Sequence, residues 1–189
     1  MRTIRISKAQ MARRISRFQA LKPLPIQNAA IPEKARDVVY ARKLLSVIGL
    51  DSATPISAEA PIRGAAGMTM TLAVCPPGQG PGLHSHRETY ETFTVLKGRF
   101  EVRWNDDGAE REVLEQFDTI SFPPGVCRAF RNVGAEEGIL QVIITGGVHD
   151  MRDIAFTPDA RREIETVGPG LAAEFEKAGF TFDASEISR

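Results

Sequence analysis

The sequence has few of the residues and segments that mark secreted or membrane proteins. It has only two cysteines, Cys75 and Cys127, among 189 residues, which is too few for a disulfide framework. No apolar run approaches the roughly 20 residues that a membrane-spanning helix needs. The N-terminal stretch is charged but is not followed by the continuous apolar segment of a secretory signal. We therefore expect a cytoplasmic protein without a membrane partner.

The chain also has no net charge, since Lys plus Arg and Asp plus Glu both number 24. Overall charge therefore does not favour a nucleic-acid partner. Charge is nevertheless uneven, because residues 1–32 contain seven basic residues and no acidic one. This segment has no aromatic interleaving beyond Phe18 and no zinc or helix-turn-helix pattern, so nucleic-acid binding is not favoured. We predict instead a basic arm that lies across the acidic surface of a neighbouring subunit in a homodimer.

Short strands are predicted throughout the middle of the chain. In Phe100–Trp104 the apolar residues Phe100, Val102 and Trp104 share one face, as in a half-buried strand. Turn residues separate neighbouring segments, and no helix is predicted between them. This pattern favours a β-sandwich or closed barrel with an all-β core. The predicted strands are 68–75, 91–97, 99–105, 111–115, 117–122, 127–133 and 139–145.

Helices are predicted on both sides of the strands. Val38, Ala41, Leu45 and Ile48 recur at helical spacing and predict one helix from Pro32 to Gly49. Residues 50–67 are predicted as loop with one short edge strand, and two apolar stripes after Gly147 predict two C-terminal helices. We divide the chain into 1–64 (arm, helix and connector), 65–147 (barrel) and 148–189 (helical extension), which together form one structural domain.

Two of the three histidines, His84 and His86, stand two residues apart. Residues at this spacing on a strand point to the same face, and the following strand brings Glu91 alongside. Two imidazoles and one carboxylate inside a barrel would form a divalent-metal site with open positions. The alternative is a pair of exposed loop histidines beside a surface glutamate, which a bare His-x-His pattern would favour.

The spacing here is richer than a bare histidine pair. Gly78, His84, His86, Glu91 and Gly98 form one spaced motif, and Asp118, Pro123, Gly125 and Asn132 form a second. These match the first and second motifs of the cupin superfamily, which the chain resembles over roughly residues 65–147. The resemblance implies a double-stranded β-helix, or jelly-roll barrel, that is often dimeric. Among cupins, the chain is most similar to the small single-domain proteins of the conserved-barrel type.

The sequence departs from the motifs at two positions. Phe117 stands where the second motif usually has glycine, and Arg128 stands where cupins with the full metal set have a third histidine. A guanidinium cannot ligate a metal, because it is always protonated and has no acceptor atom. Cys127 and His149 are the possible replacements for the third histidine ligand. Cys127, however, is predicted on the opposite face from Arg128, and His149 follows the last strand.

Two hypotheses for the site remain open. In the first, His84, His86 and Glu91 bind Mn, Fe, Ni or Zn, and Arg128 binds an anionic group of a small-molecule substrate. Glu91 and Arg128 are then the candidate catalytic residues of a metal-dependent oxygenase, lyase or isomerase. In the second, Arg128 replaces the ion, pairs with Glu91 or a ligand carboxylate, and the barrel is a metal-free, non-catalytic ligand-binding protein or sensor.

Overall fold

The computed structural model describes residues 5–24, 30–50, 57, 59–64, 67–146 and 151–185. The strands within these ranges are β1 Lys43–Gly49, β2 Ile62–Arg63, β3 Met68–Cys75, β4 His84–His86, β5 Tyr90–Lys97, β6 Phe100–Trp104, β7 Glu110–Leu114, β8 Thr119–Phe122, β9 Arg128–Asn132, β10 Gly138–Thr145 and β11 Ile154–Phe156. They form two sheets with the strand orders β2-β1-β3-β10-β5-β8 and β11-β4-β9-β6-β7. Neighbouring strands are antiparallel, except that β1 and β2 are parallel.

The two sheets form a double-stranded β-helix, as expected, and enclose one apolar core. Phe93, Phe100, Val102 and Leu140 have no exposed surface there. Burial alternates along β6 as predicted, with Phe100 and Val102 inside and Trp104 partly buried. Each fully buried side chain of this kind stabilises the fold by about 1.5–3 kcal/mol. This core fills the barrel interior.

The predicted helix from Pro32 to Gly49 is wrong in its second half. Helix α2 covers only Glu33–Val39, and the chain is extended at Tyr40 before β1 begins at Lys43. Strand β1 pairs with both β2 and β3. An apolar run of this length fits either a strand or a helix, and the pairing with β3 decides between them because it satisfies the backbone groups of β1.

The C-terminal segment contains both predicted helices, α3 Pro158–Val167 and α4 Leu171–Lys177, and one strand that the sequence analysis missed. That strand, β11, pairs with β4 and places Ile154 opposite His86. Helices α2, α3 and α4 pack together through a second apolar cluster that includes Val38, Ile164 and Phe175. This cluster covers one side of the barrel. No helix among the described residues is long and apolar enough to cross a membrane.

The described part of the basic arm, residues 5–24, contacts the barrel through Arg14, whose Nη1 donates to the carbonyl of Arg63 on β2, and through its C-terminal end. Helix α1, Lys8–Ala12, has no buried residue. Leu24, by contrast, is buried, and its backbone N–H donates to the carbonyl of Leu44 on β1. The arm therefore meets β2 near its middle and β1 at its C-terminal end. The division of the chain at residues 64 and 147 stays a prediction.

The second motif contributes turns, as its residue types indicate. Asp118 accepts a hydrogen bond from the backbone N–H of Glu115, and Asn132 bonds to the backbone of Cys75, Gly134 and Glu136. Phe117 has a φ of 75°, in the left-handed region that favours glycine. The departure from the motif at Phe117 therefore places a bulky residue in an unfavourable backbone conformation.

Candidate metal centre and cavity

The three candidate metal ligands come from both sheets and meet inside the barrel. His84 and His86 lie on β4, Glu91 lies on β5, and each is at most 6% exposed. Glu91 Oε2 is 3.6 Å from His84 Nε2 and 3.9 Å from His86 Nε2. One potential ligand atom from each residue lies within 4.8 Å of the other two. This convergence contradicts the alternative of exposed loop histidines.

Hydrogen bonds on the far side of each ring orient both histidines. His84 Nδ1 lies 2.8 Å from the carbonyl oxygen of Gly82, which can only accept, so Nδ1 carries the proton. His86 Nδ1 lies 2.7 Å from Thr89 Oγ1, whose own proton is donated to Asp153 Oδ2 at 2.6 Å. His86 Nδ1 is therefore also a donor. In the neutral form, both rings present the Nε2 lone pair toward Glu91.

Asp153 supports this arrangement from a distant part of the sequence. Its Oδ2 lies 3.1 Å from His86 Nδ1, and its Oδ1 accepts from the backbone N–H of Glu88 at 2.7 Å. Burial alone would raise the pKa of Asp153, but the hydrogen bonds from His86, Thr89 and the Glu88 backbone lower it to about 2. Asp153 is therefore ionised at neutral pH and holds His86 in a fixed orientation. Carboxylates placed behind histidines in this way are common at metal sites.

Arg128 lies on the inward face of β9, opposite His84, and is completely buried. Its Nε donates to Glu91 Oε2 at 2.8 Å, and Nη1 donates to the backbone carbonyls of Val126 and His84 at 3.2 and 3.4 Å. Nη2 also lies 2.8 Å from Glu91 Oε2, but it has no hydrogen bond to any described residue. Arg128 and Glu91 thus form a buried ion pair, and the two imidazoles lie beside its carboxylate.

The ion pair controls the ionisation of the site. Burial alone would raise the pKa of Glu91, but the Arg128 guanidinium and the two histidines outweigh it and hold this pKa well below its usual range. Burial lowers the pKa of His86, and the charge of Arg128 lowers it further, against the opposing effects of Glu91 and Asp153. At neutral pH the carboxylate is therefore ionised, and the His86 ring is neutral and free to ligate a cation.

An apolar cavity of about 90 Å³ adjoins the three candidate ligands. At about 30 Å³ for each water molecule, it has room for roughly three waters. The residues that line it are Leu24, Val39, Tyr40, Ala41, Leu44, Thr71, Pro81, His84, His86, Glu91, Phe130, Val142, Ile144, Met151, Ile154, Phe156 and Phe180. Arg128 is not among them, although its guanidinium contacts Glu91, which is. A more open cleft of about 450 Å³ lies on the other face of β4 and includes Ser85 but none of the candidate ligands.

The structure brings together all four residues that the sequence analysis assigned to the site, His84, His86, Glu91 and Arg128. Their predicted roles in metal binding, substrate binding and catalysis stay predictions. Cys127 packs with Ala155 and Ala184, away from these four residues, and His149 lies outside the described residues.

Sequence reasoning missed three residues near the site, namely Thr89, Asp153 and Tyr40. Thr89 is three residues after His86, a proximity that could have suggested it. Asp153 and Tyr40 have no such signal, because they reach the site through β11 and α2, which lie far from the motifs in sequence.

Comparisons with known proteins agree with this architecture. Residues 71–144, which include all four site residues, match the family model described as "Cupin domain". The chain therefore contains a β-barrel of the cupin fold. No curated protein matches the sequence.

Solved structures with a similar fold include a protein of Bacillus halodurans, with 22% identity over 47% of this chain and 69% of that chain and a TM-score of 0.43. Another is an uncharacterized conserved protein with a double-stranded β-helix domain from Klebsiella pneumoniae, with 23% identity, coverage of 44% and 70%, and a TM-score of 0.41. A third is a predicted oxalate decarboxylase from Thermotoga maritima, with 21% identity, coverage of 41% and 64%, and a TM-score of 0.38. These similarities concern the fold alone.

Proposed function

We propose that His84, His86 and Glu91 bind one divalent metal ion, and that the adjoining cavity holds a small molecule that contacts this ion. The observation that carries the proposal is the orientation of the two imidazoles. Both Nδ1 atoms are used as donors, so in the neutral form of the two rings both Nε2 lone pairs face the same carboxylate oxygen. Lone pairs that face a carboxylate repel one another unless a cation lies between them. Two histidines and one carboxylate suit Mn, Fe, Ni or Zn.

The Arg128–Glu91 ion pair is compatible with metal binding. An ionised carboxylate has two oxygens with about four lone-pair sites, so it can accept from Arg128 and still ligate an ion. Arg128 would then hold the carboxylate in place, much as Asp153 holds His86 through Nδ1. The direct contact between Arg128 and substrate that the sequence suggested stays a prediction, because Arg128 does not line the cavity.

The cavity indicates what kind of molecule would bind. Its walls are mainly apolar, and its polar groups include the candidate ligands themselves. We propose a small molecule with an apolar body and an anionic oxygen group, such as a carboxylate or enolate, directed toward the ligands. A bound divalent ion would act as a Lewis acid on that oxygen. Glu91 is the candidate base, and the chemistry available is that of an oxygenase, lyase or isomerase.

The second candidate function is a metal-free ligand-binding or sensor barrel, and the Arg128–Glu91 pair favours it. Two guanidinium nitrogens of Arg128 lie 2.8 Å from one oxygen of Glu91, so the carboxylate already has a cationic partner. In this function Arg128 would stabilise Glu91 or exchange it for the carboxylate of a ligand.

Metal analysis separates the two functions. The protein is purified without a metal-affinity tag, its metal content is measured by mass spectrometry, and it is then supplied with Mn, Fe, Ni or Zn. We expect about one ion per chain in the wild type and a loss of most of it in His84→Ala/His86→Ala, whose fold is checked by circular dichroism.

Ser85→Ala is the matched control, because Ser85 lies on the same strand but lines the cleft on the opposite face. Its metal content should equal that of the wild type. Undiminished metal in the double histidine variant would overturn the ligand assignment. No uptake of any of the four metals by the wild type would favour the metal-free function.

A further inference from the structure

Buried polar atoms without hydrogen bonds are rare, and among the described residues one of them belongs to a residue that lines the cavity beside the proposed site. Among the described residues, five buried side-chain atoms have no hydrogen-bond partner: Ser16 Oγ, Arg36 Nε, Tyr40 Oη, Thr69 Oγ1 and Arg128 Nη2. Tyr40 is the one residue of these five that lines the cavity next to His84, His86 and Glu91. A buried hydroxyl left without a partner destabilises the protein, so an unpartnered hydroxyl on a residue that lines this cavity points to a missing ligand. Tyr40 also lines two other clefts, neither of which includes a candidate metal ligand.

Tyr40 is held firmly at the junction between α2 and β1. Its backbone N–H donates to the carbonyl of Arg36, and its own carbonyl accepts from Gln79 Nε2 at 2.8 Å. Gln79 also accepts from the backbone N–H of Arg42, which ties the β3–β4 connection to this junction. The Tyr40 ring packs against Phe175 and Phe180, with centroid separations of 6.2 and 5.8 Å. A residue fixed in this way presents its side chain with little loss of conformational entropy on binding.

The chemistry of the hydroxyl is that of a neutral donor. Tyr40 is 6% exposed, and burial raises the pKa of its hydroxyl well above the ordinary value. The proton therefore stays on the oxygen at any physiological pH, and the group can donate to an anionic acceptor. The apolar walls of the cavity provide few competing partners for such a donor.

We propose that Tyr40 is a ligand-binding residue of the cavity, and that its hydroxyl donates a hydrogen bond to a carboxylate oxygen of the bound molecule. The inference rests on the proposed function, because it assigns the ligand to the cavity beside the metal. It adds a residue that lies outside both sequence motifs. It also narrows the ligand to a carboxylate small enough for a cavity of about 90 Å³.

The test uses cobalt(II) as the metal probe and acetate as the carboxylate probe. Cobalt is added to the full-length apo protein, and its visible absorption reports both cobalt binding and the later binding of acetate. We expect Tyr40→Phe to bind cobalt as the wild type does and to bind acetate about tenfold more weakly, which corresponds to one lost hydrogen bond. Without acetate, Tyr40→Phe should also melt about 2–4 °C higher, because it no longer buries an unpaired hydroxyl.

Thr69→Val is the matched control. Thr69 is 1% exposed and its hydroxyl also lacks a partner among the described residues, but it does not line the cavity. This variant should share the rise in melting temperature and keep the acetate affinity of the wild type. An equal loss of acetate affinity in Thr69→Val would overturn the assignment to Tyr40, because the effect would then be unspecific.

A second measurement does not depend on the folding of Tyr40→Phe. The chain has two tyrosines, so Tyr90→Phe, at a half-exposed position, leaves Tyr40 as the single tyrosine. Acetate should shift the tyrosine absorption of this cobalt-loaded protein if it accepts a hydrogen bond from Tyr40.

The outcomes separate the inference from the proposed function. Failure of the wild type to bind cobalt would refute the proposed function and the inference with it. Cobalt binding that acetate does not perturb, or an acetate affinity that Tyr40→Phe leaves unchanged, would refute the inference about Tyr40 and leave the metal site standing. An unchanged tyrosine absorption in Tyr90→Phe would refute it as well.

Discussion

Replacement of Arg128 by methionine would show how strongly the buried ion pair holds the site together. The Arg128 side chain is completely buried, and Nε and Nη2 each lie 2.8 Å from Glu91 Oε2. Methionine retains most of the apolar stem but removes the charge and all guanidinium donors. In Arg128→Met, the Glu91 carboxylate therefore stays in the interior without its cationic partner.

The expected loss of stability follows from this burial. Breaking a buried ion pair by removing one partner costs about 3–5 kcal/mol, because an uncompensated charge remains. For a protein of this size, that loss lowers the melting temperature by about 6–20 °C. The double variant Arg128→Met/Glu91→Gln should recover most of the lost free energy of unfolding, because it buries no net charge.

The assay is urea denaturation at pH 7 of the wild type, the single variants Arg128→Met and Glu91→Gln, and the double variant, each after treatment with a chelator. The measurements are then repeated with manganese or zinc. If the proposed metal site is correct, the ion supplies the missing positive charge, and metal at 100 times its Kd adds about 2.7 kcal/mol to Arg128→Met.

Two results would contradict this reasoning. A metal-free Arg128→Met protein within about 1 kcal/mol of the wild type would mean that the ion pair is not a main support of the site. A variant that is strongly destabilised but gains nothing from either metal would contradict the metal site and favour the metal-free barrel.

Four further predictions follow from the same observations. Arg128→His should bind manganese or zinc more tightly than the wild type in isothermal titration, because it adds a ligand and removes a repelling charge. Equal or weaker binding by a folded variant would mean that Arg128 does not occupy the vacant ligand position. Deletion of residues 1–32 should weaken self-association, because the arm exposes the apolar residues Ile6, Met11, Ile15 and Phe18, and should leave the barrel folded. A truncated protein that remains dimeric at the same low concentration in light scattering would contradict this. The metal-free protein should lose stability as the pH falls below about 6.5, because the fold lowers the pKa values of His86, Glu91 and Asp153 and the unfolded chain then binds more protons. The contribution of Asp153 to stability should disappear between pH values of about 3.8 and 2. A melting temperature that is constant from pH 7 to 4 would refute the contribution of His86. Phe117→Gly should stabilise the protein in urea denaturation by up to about 1 kcal/mol, because φ is 75° there; a destabilised variant would show that the exposed ring has a role of its own.

Much of the barrel could be predicted from local patterns in the sequence. Alternation of apolar and polar residues identified strands such as β3 and β6, because a strand that is buried on one face repeats every two residues. The spacing of His84, His86 and Glu91 predicted that these side chains converge, since i and i+2 on one strand share a face. Strand parity likewise predicted Arg128 and Cys127 on opposite faces, and in the structure Arg128 contacts Glu91 while Cys127 packs with Ala155 and Ala184.

Only the tertiary structure decided how distant segments complete these patterns. The apolar residues of 32–49 recur at helical spacing, but pairing with β3 makes residues 43–49 a strand. Asp153 supports His86 because β11 pairs with β4, and Tyr40 lines the cavity because α2 ends beside the barrel. Sequence periodicity reports which face of an element is buried, but it contains no information about which other element covers that face. That choice depends on hydrogen bonding and packing between segments far apart in the chain. The positions of Asp153 and Tyr40 beside the site could therefore be identified only from the tertiary structure.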